Sequence, residues 1–392
     1  MNYIQPADRI AGFKPYFFST LNQKLIELRK KGVSIIRLDM GSPDLPPIAE
    51  IIDVMVKNAR DPHQHGYSAL GGTPQFREAC AAYYLKRFGV QLDAAKEVLA
   101  LVGSKEGVFN LSQVILNPGD VALVPDPSYP VYRESGRIAG AEIYEMPLLP
   151  QNGYLPDLDA IPDVVLQKAK ILWLNYPNNP TGAVATWYFF EKAVRFAHQH
   201  HLLIAHDAPY VDICFGGYVA PSLMQVDGAK DVTVEFNSLS KTYNMAGWRL
   251  GMAVGNAVVI NYLNTYKSKM DSSQFAPLLT AGTYALTADQ EWIQKRNLIY
   301  LERRDIVVSA LQTCGFQVDT PMAAIYVWAR LPQGMTDSAV FCDCLLEETG
   351  ISLTPGIIYG AHGEGFIRVS LGIATSELVT ALDRIRAWMK KA

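Results

Sequence analysis

From about residue 98 onward, short and largely apolar runs alternate with stretches whose apolar positions recur at helical spacing. The runs are VLALV (98–102), VALVP (121–125), ILWL (171–174), LLIA (202–205), VTVEF (232–236) and GMAVG (251–255). Helix-like segments lie between them, at 106–116, 129–139 and 187–200 among others. Strands that are apolar on both faces and alternate with helices predict a mostly parallel sheet sandwiched by helices. In such a sheet the strand-to-helix loops gather at the carboxyl ends of the strands, where ligands bind. The last third reads differently. A long helical pattern at about 288–313 leads to short strands near 324–331 and 366–371, with helices at about 336–349 and 375–390. The expected fold class is therefore α/β, a large domain with a smaller α+β C-terminal domain. The expected boundaries are 1–40 for an N-terminal arm, 41–285 for the large domain and 286–392 for the small one. A helix at about 21–31 in the arm is expected to pack on the small domain.

Composition narrows the function. The 392 residues hold 35 Lys+Arg against 38 Asp+Glu, a net charge of −3, with 49% hydrophobic residues. That hydrophobicity with so little net charge excludes a disordered chain. The charge balance, with no basic run longer than the three residues Arg29, Lys30 and Lys31, argues against a nucleic-acid partner. No stretch approaches the roughly 18 apolar residues of a membrane span. Asp8, Arg9 and Lys14 fall where an export signal would carry its apolar core. Five cysteines at irregular spacing predict free thiols rather than a disulfide framework or a zinc site, hence a cytoplasmic protein. His63 and His65, or His198, His200 and His201, could suggest a metal. Neither cluster has the acidic companion of a helical zinc motif, so no metal is expected.

Five segments carry candidate chemistry. The first is NSLSKTYNMAGWRLG (237–251), which places Lys241 in a polar turn with Arg249 eight positions later. A lysine there is either solvated or, if its pKa is lowered, an amine available for a Schiff base. In LLIAHDAPY (202–210) an apolar strand ends in Asp207, with Tyr210 three residues on. A carboxylate so placed needs a cation, either a structural arginine or a protonated ring nitrogen. LVGSKEGVFN (101–110) puts Gly103, Ser104 and Lys105 at a helix start, an anion site or a plain cap. NYPNNPTG (175–182) is a rigid loop after a strand, where Asn178 or Asn179 could offer an amide to a ligand. FIRVSLG (366–372) buries Arg368 in a strand, where its fork suits a carboxylate, either structural or a substrate's.

Together, and in this order, these motifs resemble the fold-type I pyridoxal-phosphate-dependent aminotransferases of class I/II. The resemblance runs from about Gly41 to the C-terminus and is nearest the branch of LL-diaminopimelate and aspartate aminotransferases. It implies a ping-pong transfer of an amino group between an L-amino acid and a 2-oxo acid. Lys241 would carry the cofactor and shuttle the proton, and Asp207 would pair with the pyridine nitrogen. Asn179 and Tyr210 would bond the ring hydroxyl, and Tyr129 would stack on the ring. Ser104, Lys105, Ser238, Ser240 and Arg249 would hold the phosphate. Arg368 would clamp the substrate carboxylate, helped by the Gly41 backbone and Asn179, with Tyr16 also at the substrate. Tyr67 would reach the phosphate of a neighbouring subunit, which implies a homodimer with shared sites. A lyase performing β-elimination on the same fold is the alternative. An aminotransferase-like domain of a transcription regulator is a further one, but no room for a DNA-binding module is expected before residue 41.

Overall fold

The computed structural model describes residues 4–13 and 15–391. Among the described residues the largest sheet has seven strands: β1 Val98–Leu101, β2 Val121–Asp126, β3 Glu142–Pro147, β4 Ala169–Leu174, β5 Leu203–Asp207, β6 Thr233–Ser238 and β7 Gly251–Gly255. Their spatial order is β1-β7-β6-β5-β4-β2-β3. β7 is antiparallel to both neighbours, while the other pairings are parallel.

Alternate residues of each strand feed two cores, the period-2 rule of a pleated sheet. Leu99, Val124, Trp173, Ala205 and Phe236 pack with helices Ser104–Ile115, Val131–Ile138 and Ala257–Met270 on one face. On the other face, Ala100, Met252 and Val254 meet helices Pro74–Phe88 and Ala276–Thr287. There too, Leu123, Leu172 and Ile204 meet helix Trp187–His200. β3 had no apolar run to announce it. As an edge strand, its residues EIYEMP alternate and only Met146 is fully buried.

A second, four-stranded sheet holds β8 Gln317–Val318, β9 Tyr326–Arg330, β10 Thr354–Pro355 and β11 Phe366–Ser370, in the order β10-β11-β9-β8. Helices Glu291–Thr313, Ser338–Thr349 and Thr375–Met389 cover it. Helix Phe17–Lys30 buries Leu21 and Leu25 against Leu346, and Lys24 pairs with Asp343 and Glu347 at 3.1 and 2.9 Å. Residues Ile36–Arg37 pair in parallel with Ile351–Ser352. Helix Ser104–Ile115 starts two residues before its apolar periodicity does, because Ser104 and Lys105 occupy its polar first turn. Among the described residues no helix is long and apolar enough to cross a membrane.

The topology collects the chemistry at one edge. Residues following the parallel strands (Ser104, Tyr129, Asn179) lie there, as do Asp207 and Ser238, which end β5 and β6. Because β7 runs the opposite way, Arg249, two residues before its start, arrives at the same edge.

Candidate active site

One corner of that edge is built for an anion. Gly103 has φ 73°, and a Cβ there would sit 2.2 Å from Arg249 Nη2. A Cβ on Gly251 would meet the Ser104 backbone nitrogen at 2.7 Å. Two glycines thus let Arg249 press against the start of helix Ser104–Ile115, whose first amides have no partner within the helix. Arg249 Nη1 donates to Ser240 Oγ at 3.4 Å, and Ser240 N donates to Ser238 Oγ at 3.2 Å. Helix amides, hydroxyls and a guanidinium converge as a phosphate requires. Lys105 stands beside them, its pKa lowered by burial and by the Arg249 charge.

Asp207 and Lys241 face the same pocket. Asp207 is 5% exposed; its Oδ2 accepts from the Tyr132 hydroxyl at 2.7 Å. Its Oδ1 is buried with no hydrogen-bond partner among the described residues. Burial pushes the Asp207 carboxyl up to about 6, against the pull of the Tyr132 hydrogen bond and the nearby His206 and Lys241 charges. Lys241 donates to the Gly41 carbonyl. Burial first, then the Arg368 and Arg249 charges, bring its amine down to about 7, with Asp207 pulling the other way. Near neutral pH a substantial share of the amine is therefore unprotonated, as a nucleophile and base must be.

The sign of that shift gives a stability prediction. Unfolded, the lysine binds its proton up to about pH 10.5; folded, only up to about 7. The group therefore destabilises the cofactor-free fold fully below pH 7, and the penalty fades as pH rises towards 10.5. A shift of this size corresponds to at most about 5 kcal/mol. Half-burial at the pocket wall reduces it. Cofactor-free Lys241→Met is expected to melt several degrees above wild type at pH 6.5, with a gap that closes by pH 10. Equal melting points at pH 6.5 would show that the lysine is not strained by burial.

Arg368, on the central strand β11, closes the far wall. Its Nη1 donates to Asn179 Oδ1 at 2.9 Å and its Nη2 to the Asp39 carbonyl at 2.8 Å, while Nε has no partner among the described residues. The guanidinium carbon lies 4.1 Å from the Tyr326 ring centroid. Asn179 is held in turn by its backbone N–H, which donates to Asn175 Oδ1 at 2.8 Å, and Asn175 Nδ2 donates to the Asp207 carbonyl at 2.7 Å. The Tyr210 and Tyr326 hydroxyls meet at 2.8 Å. A Cβ on Gly41 would strike the Tyr326 hydroxyl at 2.5 Å.

The cavity is about 390 Å³. Tyr16, Gly41, Ser104, Lys105, Tyr129, Asn179, Asp207, Tyr210, Ser238, Ser240, Lys241, Arg249 and Arg368 all line it. Lys105 Nζ lies 5.0 Å from the Tyr16 ring centroid and 5.8 Å from that of Tyr129. Tyr67 does not line it and is 96% exposed. Sequence reasoning missed Tyr132, Asn175, Tyr326 and Arg37, which also line the cavity. Asn175 carried a signal, since it directly follows a buried strand. Tyr326 carried one too, as a hydroxyl in an apolar strand that must find a partner.

An anion corner, an unpartnered buried carboxylate oxygen and a near-neutral lysine are the chemical complement of a phosphate, a protonated pyridine nitrogen and an aldehyde. On this fold they define a pyridoxal-phosphate-dependent enzyme of fold type I. The chain matches the Aminotransferase class I and II family over residues 33–385 and belongs to that family: it is a pyridoxal-phosphate-dependent aminotransferase. It is 47% identical to an LL-diaminopimelate aminotransferase of Dehalococcoides mccartyi, across 98% of this chain and 99% of that one. A second LL-diaminopimelate aminotransferase, from Moorella thermoacetica, is 46% identical across 99% of each chain. The substrate-bound structure of BacF from Bacillus subtilis superposes with a TM-score of 0.94 at 39% identity, covering 98% of both chains.

Proposed function

We propose that the amino donor is LL-diaminopimelate, a chain with an amino-acid group at each end. The observation that carries this reading is the 46–47% full-length identity to the two LL-diaminopimelate aminotransferases. The charge layout supports it. Arg368 takes the α-carboxylate by its planar fork. Lys105, which has no acidic partner among the described residues, offers a second cation at the pocket mouth for the distal carboxylate. Purified enzyme loaded with pyridoxal phosphate tests this against LL-diaminopimelate, aspartate, glutamate, alanine, phenylalanine and methionine. LL-diaminopimelate is expected to give the highest kcat/KM, by about tenfold or more for one added charge-assisted contact. Preference for alanine or aspartate would refute the assignment, and release of pyruvate with ammonia from added serine, whose β-hydroxyl can leave as water, would indicate elimination.

In this reading Ser104, Ser238, Ser240 and Arg249 would hold the phosphate, leaving Lys105 for the distal carboxylate, and Tyr129 would flank the ring. Asn179 and Tyr210 would bond its hydroxyl, and Asp207 Oδ1 would accept from the ring nitrogen. When bound, the cofactor supplies a sink for the electrons released as the substrate Cα proton leaves. Lys241 Nζ takes that proton as general base and later returns it as general acid. The Gly41 carbonyl, Asn179 and Tyr16 line the substrate's path. Tyr132 holds Asp207 in place from below, itself stacked on Trp173 at 4.8 Å.

The working form in this proposal is a cytoplasmic homodimer. Tyr67 lies on a glycine-rich loop, and Leu70, Val258 and Tyr262 line one surface hollow although 52%, 56% and 50% exposed. An apolar face of that kind calls for a covering partner. Across it, Tyr67 reaches the neighbouring subunit's phosphate. Tyr67→Phe is expected to weaken cofactor retention about tenfold, the loss of one charge-assisted hydrogen bond. Mixed dimers with Lys241→Ala subunits should regain wild-type affinity at the one site that combines Lys241 with a partner's tyrosine. No recovery would place Tyr67 in its own subunit's site.

A further inference from the structure

Asp39 is a buried carboxylate, 0% exposed, in the residue whose backbone carbonyl accepts from Arg368 Nη2 at 2.8 Å. Its position is fixed by the strand pairing on either side. Leu38 N donates to the Ser352 carbonyl at 2.8 Å, and Ser370 N donates to the Leu38 carbonyl at 2.8 Å. Thr354 Oγ1 also donates to the Asp39 carbonyl, at 3.3 Å. Backbone and guanidinium are thus neighbours whatever the carboxylate does. Among the described residues one side chain engages that carboxylate. Arg37 donates from Nε to Oδ1 at 3.1 Å and from Nη2 to Oδ2 at 2.5 Å, and from Nη1 to Asn22 Oδ1 at 2.9 Å. The fork uses both carboxylate oxygens, the bidentate geometry that fixes orientation as well as charge.

A buried carboxylate cannot stay unpaired. Released from Arg37, Asp39 would have Arg368 as the next cation, with its Nε free of any partner among the described residues. Asp39 already acts electrostatically on Arg368, raising the affinity of the guanidinium for its proton. We propose that Arg37 is a positioning residue that withholds the Asp39 carboxylate from Arg368, so that the Arg368 fork stays open for the substrate's α-carboxylate. Without Arg37, Asp39 becomes a tethered competitor for the same guanidinium. The sequence shows nothing of this, since Arg37 ends a two-residue strand and Asp39 lies two positions beyond it.

The inference rests on the reading of Arg368 as the carboxylate clamp, and the experiment separates the two. Steady-state kinetics are measured on pyridoxal-phosphate-loaded wild type, Arg37→Gln, Arg37→Gln/Asp39→Asn and Arg368→Gln, with LL-diaminopimelate and with alanine as donors. Arg37→Gln is expected to raise KM about tenfold for both donors, with kcat within about threefold, as an internal charged competitor would. The double variant, whose amide no longer competes, is expected to return KM to within about threefold of wild type. An elevated KM that persists in the double variant would overturn the proposal, as would an Arg37→Gln effect confined to LL-diaminopimelate, which would make Arg37 a distal-group contact. Unchanged KM in Arg37→Gln would overturn it too. If Arg368→Gln leaves KM untouched, the carboxylate clamp itself is misassigned.

Discussion

Lys241→Ala is expected to lose at least about 10⁴-fold in turnover, the upper end of what one positioned proton-transfer group contributes. Two separate functions go at once. In the proposed mechanism the variant loses both the amine that would capture the cofactor and the base that would move the substrate Cα proton. No other lysine in the pocket can substitute, because Lys105 belongs to the mouth and sits between the Tyr16 and Tyr129 rings. The fold should survive, since removing a lysine whose pKa is pressed down to about 7 removes a destabilising group rather than a stabilising one. The decisive measurement pairs kcat with borohydride reduction of the loaded wild-type enzyme. Reduction should fix cofactor to a single peptide, the one containing Lys241. Label on another lysine, or Lys241→Ala turnover within about tenfold of wild type, would remove Lys241 from the centre of the chemistry.

How much of this was legible beforehand depends on what each feature needs. Runs such as VALVP and ILWL are buried on both faces, so their strands show directly in the sequence. β3 does not, because an edge strand keeps polar residues on its open side. The pairing of Ile36–Arg37 with Ile351–Ser352 is two residues long and joins positions over 300 residues apart, leaving no local periodicity to read. Among the pocket residues, those on motifs with unusual turn chemistry stood out: Lys241 in its polar turn, Asp207 at a strand end, Asn179 between prolines. Tyr132, Asn175 and Tyr326 act by holding those residues, and their placement depends on which strands neighbour each other. Tyr132 illustrates the difference. It sits in a helix whose partner carboxylate is 75 residues later in the chain, and only the β4–β5 adjacency brings Trp173 beneath it.

Asp207→Asn carries the second large effect, expected as a loss of about 10²- to 10³-fold in kcat with cofactor still retained. Removing one charge from a buried ion pair costs roughly 3–5 kcal/mol. In the proposed mechanism that cost would fall on the protonated ring nitrogen and hence on the electron sink. Retention should persist because the anion corner around Ser104, Ser240 and Arg249 is untouched. The asparagine amide oxygen can still accept from the Tyr132 hydroxyl, so the local packing has no reason to collapse. The fold offers an independent check. The Asp207 carboxyl is raised from 3.8 to about 6, so at pH 7 its ionisation favours the unfolded chain of the cofactor-free protein. That penalty is absent below pH 3.8, grows as pH rises to about 6 and is constant above. Cofactor-free Asp207→Asn should therefore melt no lower than wild type at pH 7, and a kcat loss there belongs to chemistry rather than to unfolding. Turnover within about threefold of wild type in a well-folded variant would leave Asp207 as a structural carboxylate, and Oδ1 would need another partner.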